Sequence, residues 1–484
     1  MSGTSFLWHD YETFGTHPAL DRPAQFAALR TDAQLQELGE PLSIFCKPAS
    51  DMLPHPGACL VTRITPQRAA SAGCIEAEFA QAIHAQMMEP GSCCVGYNSL
   101  RFDDEFTRHL FYRNFYDPYE REYRNGNSRF DLIDLARMCF ALRPQGVQWP
   151  EHEAGIPSFR LEELTAANGI DHSGAHDALA DVRATIALAR RLRLAQPRLW
   201  DWGLSMREQK AAIRLLDTGD PKPLVHTSSR YPASRGCTTL VLALAKVPDR
   251  PKSVIVIDLM FDPQALLDLD ADAIADRLFT PAADLPEDVE RIPLKAVHSN
   301  KVPMLAPQAV LQDVDTARIG LDPQRCARHA ERLRPHLAEL RSRLMEVFAP
   351  PPPDLLGDPE TRLYSGGFLP DADRALMRQI PGASPELLAK QSWPFKDARL
   401  KELLFRYRAR NYPDSLDAAE TQRWEHERRQ RLLKPRTPAQ LSFAQFHDEL
   451  AEARRTHVGD GRAQALLDAL QAWAEALHLD PQMI

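Results

Sequence analysis

The sequence has no Cys-x-x-Cys pair. Its 8 cysteines stand at 46, 59, 74, 93, 94, 139, 237 and 326, a scatter that argues against a zinc knuckle and suits small apolar residues in a reducing compartment. Nor is there a run of about 18 apolar residues, or a basic stretch leading into an apolar one near Met1. Neither a membrane span nor a secretory leader is expected, and the predicted location is the cytoplasm. Positive charge is not in excess: 58 Lys and Arg stand against 66 Asp and Glu, for a net charge of -8. Any nucleic-acid binding must therefore come from a local patch.

What is present is a chain of 484 residues, too long for one ordinary core. Strand and helix patterns alternate as far as Pro197, which predicts an α/β domain with a mixed sheet over residues 1–197. β-rich runs at Leu240–Ala245 and Ser253–Leu259 then predict a smaller strand-rich domain over 198–350. The prolines from Pro350 to Pro353 form a stiff linker. Helical patterns fill 354–484, including Trp393–Asn411, Leu416–Leu432 and Gly461–Leu479, so an all-α third domain is expected. Arg406, Arg408 and Arg410 cluster at the end of one of these helices, where they could hold phosphate or an acidic peptide.

The chemistry begins at Asp10 and Glu12. In an extended strand, residues two apart point to one face, so both carboxylates can enter one pocket. Such a pair repels unless it holds protons or shares a cation. Further along, a strand at Cys93–Tyr97 runs into Asp103, Asp104 and Glu105 at the start of a helix, and spacing does not choose among the three. His176 precedes a helix that Asp177 can cap, and Asp181 lies in that helix's first turns. The segment from Phe111 to Arg124 interleaves aromatic rings with arginines, a composition suited to stacking bases and contacting phosphate on a single strand.

Four carboxylates and one imidazole are what phosphodiester hydrolysis by two hard cations requires. On this reading Asp10 bridges the two ions, and Glu12 and Asp181 complete one shell. Asp103 supports the other, while His176 acts as the base. An all-oxygen set suits Mg²⁺, with Mn²⁺ as a substitute, better than zinc.

These residues also carry a resemblance. Asp10-x-Glu12, the Asp103 segment and His176-x-x-x-x-Asp181 resemble the three motifs of the DEDDh exonucleases. The stretches Asp10–Gly15, His17–Phe26, Arg113–Tyr119, Pro157–Glu162 and Phe405–Asn411 are similar to those of bacterial exodeoxyribonuclease I proteins. The resemblance implies a ribonuclease-H-like exonuclease domain, an SH3-like domain and a helical C-terminal domain enclosing single-stranded DNA. It implies processive 3′→5′ hydrolysis to 5′-mononucleotides, a monomer, and roles in recombination and mismatch repair. Substrate contacts are expected from Glu12, Arg113, Tyr119, Arg160 and His176. The implied partner is the acidic tail of single-stranded DNA-binding protein, for which Arg325, Arg332 and Arg334 are the candidate contacts. Two other functions fit less of the chain: an exoribonuclease of the same superfamily and a non-catalytic single-strand-binding scaffold.

Overall fold

The structure is a computed structural model that describes residues 5–350, 357–434, 437 and 440–477. The chain divides into two compact units, one from 1–128, 172–183 and 353–484, the other from 129–171 and 184–352. The stretch expected as the first domain thus contributes to both. Among the described residues no helix is long and apolar enough to cross a membrane.

The first unit is built on strands β1 (Ser5–Thr13), β2 (Pro23–Thr31), β3 (Glu37–Phe45) and β4 (Ser92–Gly96), in the order β3-β2-β1-β4. β1 runs antiparallel to β2 and parallel to β4, so the sheet is mixed. Alternation along β1 puts Leu7 and Tyr11 into a core with Phe26, Phe79, Ile83 and Phe111, contributed in part by the helices Glu76–Met87 and Asp103–Arg113. Pairing with β4 ends at Trp8 and Val95. Beyond that point β1 continues alone on this side, and Asp10 and Glu12 emerge where an α/β sheet collects its ligands.

Two more cores draw the last third of the chain onto this sheet. Phe14, Leu53 and Cys59 pack with Leu432, Phe446, Leu467 and Leu470. Tyr112 and Phe115 pack with Phe395, Leu400 and Tyr407. Each fully buried large apolar side chain contributes roughly 1.5–3 kcal/mol, so the seam between chain ends is held as firmly as a domain interior. Where the sequence shows a Pro- and Gly-rich break at Leu53–Ala58, a helix starts at Pro56, Pro56–Thr62, its first-turn proline needing no N–H partner.

Between these cores lies a buried network of charge. Arg113 forms two hydrogen bonds to Glu76, at 2.8 and 3.0 Å. Arg22 donates to Glu360 at 2.6 Å, Arg410 grips Asp51 at 3.0 and 2.7 Å, and Arg406 reaches Asp358 at 2.7 Å. Burial alone would raise the Glu360 carboxyl, but Arg410, Arg22, Arg431 and Arg406 outweigh it and hold that group well below the usual carboxylate range. The cluster of Arg406, Arg408 and Arg410 is therefore not an open anion site. Arg408 is paired with Glu420 at 2.7 Å, and all three guanidinium groups are engaged by acids of the same unit.

The third-domain helices follow the expected pattern, among them Ala398–Asn411, Ala418–Leu433, Phe443–Thr456 and Gly461–Ala476. Ser442 and Asp417 cap two of them in reciprocal capping boxes. Pro351–Pro353 of the expected linker lie outside the described residues.

The second unit carries an antiparallel sheet whose strands run in the order Leu294–His298, Arg250–Asp258, Thr238–Val247, Leu224–Thr227 and Met304–Pro307. It holds more helix than its strand-rich sequence suggests. Leu337–Val347 packs on the central strand, Thr238–Val247, burying Leu340, Leu344 and Val347 at helical spacing. The helix Leu161–Ala167 has Arg160 in its capping position and no side-chain cap bond.

Candidate active site

Asp10 and Glu12 share one face of β1, as the strand period requires, and face Ala27 and Gln25 across the antiparallel ladder. The helix Ala178–Ala195 places Asp181 in its first turn. Asp177 fixes the start of that helix, its Oδ1 accepting the backbone N–H groups of Leu179 and Ala180. Oxygens of Asp10, Glu12 and Asp181 lie within 4.8 Å of one another.

Asp103 joins the site from the start of its helix. It is buried, and its Oδ1 accepts the backbone N–H of Tyr11 at 3.0 Å, which locks it to β1 between the two strand carboxylates. The structure also separates the three acids that spacing left equivalent. Asp104 pairs with the buried Arg121 at 2.6 Å. Glu105 pairs with Arg108 at 2.6 Å and with the Tyr364 hydroxyl. Asp103 instead faces Asp10, whose carboxyl it helps to raise.

The electrostatics are those of carboxylates crowded beyond what water would allow. Burial, then Asp103, Glu12 and Asp181, raise the Asp10 carboxyl well above its usual range. Burial followed by Asp181, Asp103 and Asp177 pushes Glu12 up to about 9. Asp181 is also raised by burial, an effect opposed by a hydrogen bond and charge from His172, by the charge of His176, and by a hydrogen bond from the His176 backbone. Such a cluster is stable when protons or cations replace the missing solvation, and its oxygen-only donor set fits a hard divalent ion.

His176 lies just outside the helix, in a turn, with φ 68°. This left-handed conformation is unusual for a residue with a side chain and marks a backbone held by its surroundings. His172 has no role in the motifs, yet its Nε2 lies 2.5 Å from Asp181 Oδ1 with its ring largely buried. No periodicity could have paired residues nine apart, because the Ser173–His176 turn reverses the chain between them.

Three of the residues expected at the substrate have local partners in the structure. Arg113 is buried and turned to Glu76, so its guanidinium serves the interior. Tyr119 is half-buried under the Arg108 guanidinium, 5.5 Å from the ring centre. Arg160 belongs to the second unit, is exposed and lies 3.5 Å from Glu163. Half of the Phe111–Arg124 segment is buried, Phe111, Tyr112, Phe115 and Arg121 among it, while Tyr123 is exposed.

Carboxylates gathered at the end of β1 in a mixed sheet define a nuclease centre, and a family model described as Exonuclease matches residues 7–189. Models of the exonuclease I SH3-like domain and the exonuclease I C-terminal domain match residues 207–350 and 357–477. Exodeoxyribonuclease I of Escherichia coli is 47% identical over 98% of each chain. The solved exonuclease I of Methylocaldum szegediense, described as moderately thermophilic, superposes with a TM-score of 0.93 at 48% identity, over 99% of this chain and 100% of that one. E. coli exonuclease I in complex with a dA16 oligonucleotide superposes equally well, with a TM-score of 0.93 at 47% identity, over 98% of this chain and all of the other. Complexes of the E. coli enzyme with single-stranded DNA are also known in zinc-bound and metal-free forms. The chain belongs to the exodeoxyribonuclease I family, with an α/β exonuclease domain, an SH3-like domain and an all-α C-terminal domain.

Proposed function

We propose that Asp10, Glu12, Asp103, Asp181 and His176 carry phosphodiester hydrolysis in this enzyme. It is a processive 3′→5′ exodeoxyribonuclease acting on single-stranded DNA, with the DNA-repair roles of its family. The observation that carries the reading is the meeting of Asp10, Glu12 and Asp181 oxygens within 4.8 Å of one another, with Asp103 locked against the same strand.

Asp10, Glu12 and Asp181, with Asp103 beside them, would hold two Mg²⁺ ions, for which Mn²⁺ can substitute. Bound there, divalent ions supply charge neutralisation for the anionic phosphodiester and lower the pKa of water. The protein's own part is positional. β1 and the Ala178–Ala195 helix hold the acids at fixed separation, so no reorganisation is needed as charge develops. His176, on its constrained turn, takes the proton of the attacking water. Burial keeps bulk water from screening these charges.

The exposed guanidinium groups of Arg325 and Arg332, with the half-buried Arg334, support a second element of the reading. They lie on or just beyond the Pro323–Leu333 helix, and would receive the acidic tail of single-stranded DNA-binding protein. In the free protein Arg332 rests on Asp262 at 2.9 Å and Arg334 on Glu331 at 3.1 Å, partners that an acidic peptide would displace.

The test is a time course on 5′-labelled single-stranded DNA with excess unlabelled trap, in Mg²⁺ and in EDTA, for the native protein and Asp181→Ala. Very short products from a few fully digested molecules, absent in EDTA and in the variant, are expected. An intact oligonucleotide under all conditions would overturn the reading, and equal turnover of matched RNA would replace the substrate.

A further inference from the structure

The helix Asp103–Arg113 opens on a site carboxylate, yet its capping position is held by Phe102 and its start has no side-chain cap bond. What fixes that start is a strut from further along the chain. Arg121, on the short 3₁₀ turn Glu120–Glu122, donates from Nη2 to Asp104 Oδ1 at 2.6 Å. Glu122 of the same turn accepts from Arg108 Nε at 2.8 Å, one helical turn beyond Asp104. The Asp104 N–H donates to the Ser99 carbonyl at 2.9 Å, and the Thr107 hydroxyl to the Asp103 carbonyl at 2.8 Å.

As a device for stability the Arg121–Asp104 pair is poorly built. Its members are 0% and 1% exposed, so both charges have lost their water. Replacing such a pair by apolar residues is often neutral or stabilising. Arg121 Nε and Nη1 are buried with no hydrogen-bond partner, and unmet donors cost stability. Buried groups left unmet call for another explanation, and the place of the pair supplies one. Asp103 and Asp104 are consecutive on the helix, so their side chains diverge by about 100°. Arg121 holds the second to the Glu120–Glu122 turn, while the first takes the Tyr11 N–H at 3.0 Å and faces Asp10. The charges of Arg121 and Asp104 both reach His9, the residue before Asp10, which sets the ion pair against β1.

Resting on the exonuclease reading above, we infer that Arg121 is a positioning residue for the reaction. By anchoring Asp104 it fixes the rotation of the helix start, and with it the direction in which Asp103 meets Asp10. Without the guanidinium, Asp104 is an uncompensated carboxylate in the interior, beside a cluster already crowded with negative charge. Turning the helix start toward water relieves that charge, and Asp103 turns with it. The loss then falls on the divalent-ion site and on turnover, not on the grip of the DNA strand.

The test compares the full-length native protein with Arg121→Lys and with Arg121→Met combined with Asp104→Leu. Mn²⁺ affinity is measured by calorimetry without DNA, kcat and KM on a labelled single-stranded oligonucleotide, and Tm in EDTA. The combined variant, with both charges gone, should melt close to the native protein. Its Mn²⁺ binding should nevertheless weaken by about 10- to 100-fold, the scale for groups that orient a metal-binding carboxylate. Its kcat should fall to a similar degree at unchanged KM. Arg121→Lys keeps the buried charge on a side chain one atom shorter. It should hold the native Tm and fall between the other two in kcat and Mn²⁺ affinity, and it decides the matter where the combined variant does not fold. Native kcat and Mn²⁺ affinity in either variant would show that the pair serves only the fold and would overturn the inference. A rise of KM at constant kcat would make Arg121 a substrate contact and overturn it too. Native protein inert on DNA in Mg²⁺ sinks the exonuclease reading, whereas native digestion with equal Mn²⁺ affinity in all three proteins sinks this inference alone.

Discussion

His172 Nε2 lies 2.5 Å from Asp181 Oδ1, so a carboxylate of the acidic cluster is held by a ring nine residues earlier in the chain. Groups that orient a metal-binding carboxylate typically matter 10- to 100-fold for metal affinity or activity. His172→Ala is therefore expected to weaken Mn²⁺ binding, measured by calorimetry without DNA, by about 10- to 100-fold. His172→Asn, which keeps a hydrogen-bond donor, should recover part of it. Unaltered binding in the Ala variant would remove His172 from the site.

The acidic cluster also makes stability depend on pH. The folded protein raises Glu12 from its ordinary value to about 9. Between that ordinary value and about 9, the folded state holds a proton that the unfolded state has released. A carboxyl raised in this way disfavours the folded state as pH increases through that window, and the effect levels off above about 9. In EDTA, Glu12→Gln should show a shallower fall of Tm than the native protein from pH 5 to 9. Mg²⁺ should stabilise the native protein more than the variant. Parallel Tm profiles for the two in EDTA would refute the expectation.

Removing catalytic groups should separate their roles. Asp10→Ala is expected to lower turnover by several orders of magnitude while leaving the fold intact. His176→Ala should cost roughly 10²- to 10⁴-fold, with partial recovery at higher pH as hydroxide becomes available. Single-turnover rates on a labelled oligonucleotide measure both. Normal turnover of Asp10→Ala at saturating Mg²⁺ would sink the assignment.

Glu360 is the acid on which the buried network turns, since it faces Arg22, Arg406, Arg410 and Arg431. Its neutralisation leaves several guanidinium groups undercompensated in the interior, and breaking buried pairs of this kind costs about 3–5 kcal/mol. Glu360→Gln should accordingly unfold at a lower urea concentration with an unchanged slope. A loss below about 1 kcal/mol, the scale of an exposed pair, would show that water reaches the network.

The active-site strand and the C-terminal helices were legible because each announces itself locally. Asp10 and Glu12 share a face through the period of two, and Ser442 and Asp417 mark helix starts within a few residues. What the sequence hid depends on distant partners. Arg406, Arg408 and Arg410 look like an anion site until Asp358, Glu420 and Asp51 arrive from other parts of the chain. Arg113 looked available to DNA for the same reason, its partner Glu76 lying 37 residues away. The SH3-like strands were readable from β-branched runs, whereas the helix Leu337–Val347 needs the sheet surface it covers to explain its apolar face. The choice among Asp103, Asp104 and Glu105 came from Arg121 and Arg108, which claim two of the three.

The pairing of Arg22 with Glu360 joins residues 338 positions apart. During translation, β1 and its two carboxylates leave the ribosome long before Glu360, Arg410 and Arg431 exist. Until those residues emerge, Asp51 lacks its arginine partners, Arg22 has only Glu76, and Phe14 has only the N-terminal part of its core. The buried network of this unit is therefore completed only when the last third of the chain has been made.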